Sequence, residues 1–94
     1  MSFRVKFNLE GCEFRRRRSG ITQKGEWHSL QVEDFEGNSV DISVRNDDMW
    51  SGVCQSMRKG EFYNIPCLAI ANNEYNFLSL DGEPERVPDP EEVL

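Results

Sequence analysis

The first part of the chain alternates apolar and polar residues, which is the pattern of a half-buried β-strand. The apolar positions are Phe3, Val5, Phe7 and Leu9. Gly11 is expected to bulge or bend this strand, and residues 12–16 are expected to continue it. Ser-Gly and Lys-Gly pairs then predict a loop over residues 18–25, at the tip of a hairpin.

Two further strands follow from the same kind of alternation. Over residues 27–34, the even-numbered positions share one face of a strand and the odd-numbered positions share the other. The segment Glu36–Asn38 has the residue types of a hairpin turn. A third strand is predicted over residues 39–45.

A short helix is predicted after the third strand. Asp47 and Asp48 are residue types that cap helix N-termini, and apolar residues at near-helical spacing follow them. Gly52 weakens this helix, and Gly60 is expected to end it after two basic residues. Fourth and fifth strands are predicted over residues 61–71 and 75–80, separated by an Asn-Asn turn.

Three strands, a short helix and two more strands make an all-β fold with one short helix. This is the order of a five-stranded Greek-key OB barrel, in which a helix joins the third and fourth strands. An SH3-like barrel is the alternative, and the helix in the third connection favours the OB barrel. We therefore predict one OB-like domain over residues 1–80 and an acidic, flexible tail over residues 81–94.

The charge of the chain is unevenly distributed. The formal net charge is −6, but residues 81–94 carry six acids and one base, whereas residues 1–80 carry eleven acids and ten bases. The body is therefore close to neutral and contains a strongly basic run, Arg15–Arg18. No apolar stretch approaches the ~20 residues of a membrane span, and no signal peptide is predicted. The expected location is the cytoplasm of a bacterial host cell.

The cysteines do not indicate a cofactor. Cys12, Cys54 and Cys67, with His28 as the one histidine, lack the close pairs that preset a zinc site. We predict reduced, partly buried thiols, no metal and no cofactor.

The arginine run predicts contact with phosphates. In a regular strand, Arg15 and Arg17 would share one face and Arg16 and Arg18 the other. A barrel interior does not accept guanidinium groups without partners. The run is therefore predicted to lie beyond the closed part of the barrel, in a protruding basic β-ribbon with both faces in water, where it can hold a phosphate backbone.

Flat side chains lie near this ribbon or on the fifth strand: Trp27, His28, Tyr75 and Phe77. Bases stack on such groups with little dependence on sequence. Trp27 is equally explained as a packing residue, because it lies on the face opposite His28 and Leu30. Trp50 is predicted to pack between helix and barrel, one of Phe62 and Tyr63 to be buried, and Arg45 to be a surface charge.

The residues of the ribbon also carry a family resemblance. The run RSGITQKGEWHSL, from Arg18 to Leu30, resembles the DNA-binding wing of the filamentous-bacteriophage single-stranded DNA-binding (helix-destabilising) proteins. Further along, the run KGEFY (59–63), then Tyr75, and Val87-Pro88 occur in the same order as similar features of that family.

The resemblance implies an OB-like fold, a homodimer, and sequence-tolerant coating of single-stranded DNA. Carried over by position, Arg18 would contact phosphate, and Lys24 would supply a further basic contact. His28 and Tyr75 would stack on bases, and Leu30 would pack against a base or a sugar.

These observations predict a non-enzymatic protein that binds single-stranded DNA, with RNA left open, during replication of a phage, plasmid or mobile element. The acidic tail, which ends in Val93-Leu94, resembles bacterial tails that dock replication proteins. One alternative is a protein-interaction module, an OB or SH3-like barrel whose arginines meet an acidic partner and which binds no nucleic acid. A second alternative is a small metal-dependent nuclease that uses acids at strand ends and caps: Glu33, Asp34, Glu36, Asp47 and Asp48.

Overall fold

A closed ring of five β-strands forms the body of the protein. The computed structural model describes residues 2–90. Its elements, in chain order, are β1 (Phe3–Thr22), β2 (Gly25–Glu33), β3 (Ser39–Ser43), α1 (Asp47–Ser51), α2 (Val53–Ser56), β4 (Phe62–Ala71), β5 (Asn76–Leu80) and β6 (Glu85–Val87). The ring runs β1-β2-β3-β5-β4 and returns to β1, with β3 and β5 parallel and the other pairs antiparallel. This order confirms the predicted OB-like Greek-key barrel.

The first strand closes the ring because it bends and changes partner. Its first half pairs with β4, up to the pair Glu13↔Phe62, and its second half pairs with β2 from Glu13 onward. Gly11 has φ 61°, and the β1–β4 register shifts between Leu9 and Cys12. The bulge predicted at Gly11 is confirmed. It lets one 20-residue strand belong to both sides of the barrel.

A two-stranded ribbon protrudes from the barrel. The β2–β3 residue pairs run from Ser29 to Glu33, and the Val44 N–H also donates to the His28 carbonyl, so within the described chain residues 20–22 and 25–27 pair only with each other. The turn contains only Gln23 and Lys24. The predicted loop over residues 18–25 is therefore too long, because strand pairing continues through Ser19-Gly20 on one strand and reaches Gly25 on the other.

The helical connection differs in detail from its prediction. Asn46, rather than an aspartate, caps α1: its Oδ1 accepts a hydrogen bond from the Met49 N–H at 3.0 Å. Asp47 and Asp48 occupy the first turn, where their negative charge suits the helix N-terminus. Gly52 separates α1 from α2, so the helix expected to be continuous is two short pieces.

The barrel interior holds a single apolar core. Cys54 and Met57, in and just after α2, belong to it, and Trp50 packs against it as predicted. Tyr63 is buried and Phe62 is only half-buried, which confirms their alternation. The buried core residues are Cys12, Phe14, Leu30, Val32, Ile42, Val44, Cys54, Met57, Tyr63, Ile65, Cys67 and Leu80.

The segment predicted to be a flexible tail begins as part of the sheet. Glu85–Val87 pair antiparallel with residues 62–64 of β4, and Pro84 is buried. The prediction that the chain need not fold from Asp81 onward is wrong for this stretch, because β4 offers it an open edge. The rest of the predicted tail, residues 91–94 with its Val93-Leu94 pair, lies outside the described residues. No helix within residues 2–90 is long and apolar enough to cross a membrane.

Candidate nucleic-acid interface

A cleft of about 540 Å³ opens where the protruding ribbon approaches the β4–β5 turn. Five of the predicted nucleic-acid-binding residues line it: Lys24, Trp27, His28, Tyr75 and Phe77. Its remaining lining residues are Glu26, Ser43, Val44, Arg45 and Asp47. The fold thus brings residues of β2 and β5, which are distant in sequence, to one concave surface. We refer to it below as the aromatic cleft.

Trp27 is fixed in place by the strand opposite it. Gly20 is its cross-strand partner, and a Cβ built on Gly20 would lie 2.6 Å from two atoms of the indole. The ring therefore packs against the bare backbone of Gly20, while 40% of Trp27 stays exposed. A prepositioned aromatic surface of this kind loses little conformational entropy when a flat ligand stacks on it.

We expect Gly20→Ala to displace Trp27, because the added methyl group would occupy the space of the indole. Affinity for oligo-dT should fall about tenfold, the value of one lost stacking contact, and the tryptophan emission should shift to the red. Ser19→Ala, at the neighbouring position, is the matched control. Unchanged emission in Gly20→Ala would contradict this packing.

His28 lies at the inner wall of the aromatic cleft. Its imidazole stacks on the Trp50 indole, with 4.5 Å between ring centroids and 15° between ring planes. Its Nε2 is 3.7 Å from a Glu26 carboxylate oxygen, and its buried Nδ1 has no hydrogen-bond partner among the described residues. One ring face of the predicted base-stacking histidine is therefore already covered by α1.

Trp27 and His28 both line the aromatic cleft, although they lie on opposite faces of β2. Alternation on a flat ribbon predicts that only one of them faces a ligand. The right-handed twist of a β-ribbon allows both of them to border one cleft.

Tyr75 and Phe77 form the opposite wall. Their ring centroids are 5.4 Å apart, and 53% of Tyr75 is exposed. The turn before them is held by Asn72, whose Oδ1 accepts hydrogen bonds from the Glu74 and Tyr75 N–H groups at 2.8 and 2.9 Å. The Asn-Asn turn therefore positions the exposed tyrosine.

Arg45 completes this wall and is the residue that sequence reasoning missed. Its guanidinium carbon lies 5.6 Å from the centroid of the Phe77 ring, a cation–π distance. Arg45 follows β3, whose neighbour in the sheet, β5, carries Phe77. The predicted OB order places β3 beside β5. A single isolated arginine in the sequence, however, does not indicate that it contacts Phe77.

The four consecutive arginines lie outside the aromatic cleft. The β1–β2 register shifts between Phe14 and Arg16, so Arg15 is the extra residue of a bulge. Arg17 then lies opposite Leu30 in the register, on the face away from Arg16 and Arg18, and all three arginines are exposed. The prediction that Arg15 and Arg17 share a face is wrong because of this bulge.

Three of these arginines pair with nearby polar groups on the outer surface. Arg15 contacts Glu13 at 2.6 Å and Glu33 at 3.8 Å. The other two contacts are Arg16 Nε to Gln31 Oε1 at 2.8 Å and Arg18 to Asp41 at 3.8 Å. Ion pairs as exposed as these contribute little stability.

The side chain of Arg17 contacts the end of α2 and the core residue Phe14. It donates hydrogen bonds to the backbone oxygens of Cys54 and Met57 at 3.1 and 2.8 Å. Its guanidinium also lies over the Phe14 ring, 5.3 Å from the centroid. Arg17 stays exposed, as expected for a run with both faces in water. It also binds the C-terminal end of α2, where the helix dipole favours a cation.

Arg17→Met is expected to lower the free energy of unfolding by about 1–3 kcal/mol, because two carbonyl groups lose a charged donor. Arg16→Met removes an equal charge from the exposed neighbouring position and should change stability by less than about 0.5 kcal/mol. Urea unfolding followed by circular dichroism measures both values. Equal stability of the two variants would show that the Arg17 contacts are unimportant.

Leu30 cannot contact a base or sugar in this structure. Its exposed fraction is 0%, and its side chain lies in the core opposite Ile42. The assignment of Leu30 to the binding site, which the family resemblance implies, is wrong for this conformation. The inward face of β2 is covered by the core at this point.

The predicted thiols are free and buried. Burial raises the pKa of Cys54 and of Cys67 to about 11, so both are neutral thiols at pH 7.

Asp34 accepts hydrogen bonds from the backbone N–H groups of Asn38 and Glu36, and these hydrogen bonds lower the pKa of Asp34. Within residues 2–90, no three His, Cys, Asp or Glu side chains group closely enough to hold a metal ion.

Comparisons with protein-family models, with curated proteins and with solved structures found no match to this chain.

Proposed function

We propose that this protein binds single-stranded DNA without marked sequence preference, that it acts as a homodimer, and that it serves replication of a phage, plasmid or mobile element. The observation that carries the proposal is the aromatic cleft. It lies between the β1–β2 turn, with Lys24, and the β4–β5 turn, with Tyr75. OB-folds bind oligonucleotides on the β2–β3 face between these two turns.

Stacking would supply most of the affinity. Trp27 is exposed on one side of the aromatic cleft, and on the other side Tyr75 is exposed beside the half-buried Phe77. Every base has a π face, so these side chains accept any base at roughly 1–3 kcal/mol each. Duplex DNA keeps its bases stacked internally and cannot offer them to the cleft, which explains a preference for single strands.

Phosphates would be held at the borders of the aromatic cleft and on the outer face of the sheet where the protruding ribbon joins the barrel. Lys24 and Arg45 line the cleft itself, and Arg16 and Arg18 point outward from the adjoining sheet. The contact of Arg18 with Asp41 is long and exposed. Such a pair exchanges readily for a phosphate, whereas Arg17 is committed to α2.

A titration of fluorescently labelled oligo-dT, followed by anisotropy from low to physiological salt, tests the proposal. We expect binding to be much tighter than for a duplex of equal length, with log affinity falling linearly against log salt. The slope should be about 0.7 per neutralised phosphate on a single strand. Failure of oligo-dT to bind even at low salt would overturn the proposal.

The same titration can show which arginines contact phosphates. A variant with both Arg16→Gln and Arg18→Gln should reduce the salt slope by about 1.4, that is, by two phosphate contacts. Arg58→Gln, which removes a charge from an exposed position just after α2, is the control and should leave the slope unchanged. An unchanged slope in the double variant would remove these two arginines from the binding surface.

A protein-interaction module is the second candidate, and one observation favours it. A second cleft of about 460 Å³ is lined by exposed Phe35, by Phe62 and by several acidic residues, Glu13, Glu33, Asp34, Glu36 and Asp89. This lining suits a basic peptide with an apolar side chain. Binding of such a peptide, together with no affinity for oligo-dT, would support this candidate over the first.

A further inference from the structure

One edge of the first strand has no partner within the described residues. From Phe3 to Leu9, β1 pairs on one side with β4, and its pairing with β2 begins only at Glu13. The backbone N–H and C=O groups on the other side are therefore open. An unpaired edge of this length is a template for a further strand, and natural proteins usually shorten, charge or cover such edges.

The inward face of the same segment exposes large apolar side chains. Phe3 is 62% exposed and Val5 is 56% exposed, although both lie on the face that becomes the barrel core further along the strand. Val5 pairs across the sheet with Ala69 of β4, and Ala69 pairs in turn with Leu78 of β5. The apolar surface thus continues from the core to the open edge and stops there without a cover.

The charges along the edge are complementary to themselves. In an antiparallel pairing of two copies centred on Phe7, Arg4 of each copy lies opposite Glu10 of the other, and Val5 opposite Leu9. Within residues 2–90, neither Arg4 nor Glu10 has a side-chain partner, whereas Lys6 lies 3.7 Å from Asp81. Registers centred on Val5 or Lys6 bring basic side chains opposite each other.

We infer that the occupant of this edge is a second copy of the chain, paired antiparallel through residues 4–10 about a two-fold axis at Phe7. The inference rests on the homodimer of the proposed function and adds its interface. The contact is isologous, so it closes at two copies instead of extending into a fibre. It joins the two β5-β4-β1 sheets into one continuous sheet and covers Phe3 and Val5.

This interface predicts a consequence for DNA binding. The two aromatic clefts of the dimer are related by the two-fold axis, and neither cleft contains the paired edge. A short oligonucleotide should bind each cleft independently. A longer strand that reaches both clefts should bind more tightly, because its second contact is intramolecular.

Sedimentation velocity of the full chain without DNA tests the interface. We expect a species of twice the 10.9 kDa chain mass. Arg4→Glu or Glu10→Arg alone should raise the dimer dissociation constant by roughly tenfold or more, because each places like charges opposite each other twice. Combining the two substitutions should restore the dimer. Lys59→Glu, an exposed charge reversal after α2, is the control and should leave the mass unchanged.

Val5→Lys places a charge on the apolar face of the edge and should leave a folded monomer, which circular dichroism would verify. This monomer should bind short oligo-dT like the wild type and lose only the added affinity for long strands. A wild-type monomer at all concentrations, or a dimer unaffected by Val5→Lys and Arg4→Glu, would overturn the inference. A dimer that responds as expected but binds no DNA would uphold the interface and refute the proposed function.

Discussion

Replacing both Trp27 and Tyr75 by alanine is expected to weaken binding of oligo-dT by about 30-fold or more, since each lost stacking contact is worth roughly 1–3 kcal/mol. The two side chains lie on opposite walls of the aromatic cleft. Both are partly exposed, so their removal should leave the fold intact. The salt slope should stay the same, because neither residue contacts a phosphate. Anisotropy titrations at several salt concentrations measure both quantities.

Phe35→Ala supplies the matched control for this experiment. Phe35 is an exposed aromatic residue of the β2–β3 hairpin, outside the aromatic cleft. Its removal should leave the affinity for oligo-dT unchanged. If Phe35→Ala weakened binding as much as the double variant, single strands would follow the opposite end of the barrel, and the aromatic cleft would not be the site.

Leu30→Ala is expected to lower the free energy of unfolding by about 3 kcal/mol or more, because Leu30 is fully buried and its truncation leaves a cavity. In a domain of this size, that change should lower the melting temperature by roughly 12 °C or more. The folded fraction should still bind oligo-dT with nearly wild-type affinity. Thermal unfolding and a titration at low temperature separate the two effects.

Ile21→Ala is the control, since Ile21 lies on the protruding ribbon and is among the most exposed apolar residues of the described chain. Its truncation should change the melting temperature by only a degree or two. The opposite result for Leu30, unchanged stability with a large loss of affinity, would return Leu30 to the DNA-binding role that the family resemblance implies.

Local patterns in the sequence predicted most of the fold. Period-two alternation located β1 and β2 because each has one face on the core, and it grouped Leu30 with Val32 on one face of β2, although that face is in the core and not on a ligand. The helix between the third and fourth strands distinguished an OB order from its alternative. Each of these signals depends on residues close together in the chain, which is why it could be read without the structure.

The errors arose where distant segments decide the outcome. The bulge at Arg15 carries no glycine and is visible only in the register of β1 against β2. The role of Arg17 depends on where α2 ends, and the contact of Arg45 with Phe77 joins residues that are distant in the chain. Four identical side chains therefore have three different roles: Arg15 forms a bulge, Arg16 and Arg18 point outward, and Arg17 binds the end of α2. The composition of the run does not indicate which residue has which role.

The pairing of β6 with β4 matters for anyone who shortens this protein. A deletion placed after Leu80, where the acidic composition begins, would remove Glu85–Val87 and leave residues 62–64 of β4 as a bare strand edge. It would also remove Pro84, which is buried, and the contact of Arg86 with Glu61 at 2.7 Å. The shortest well-behaved fragment for expression and crystallisation should therefore extend at least to Val87, and one trimmed to Leu80 should aggregate.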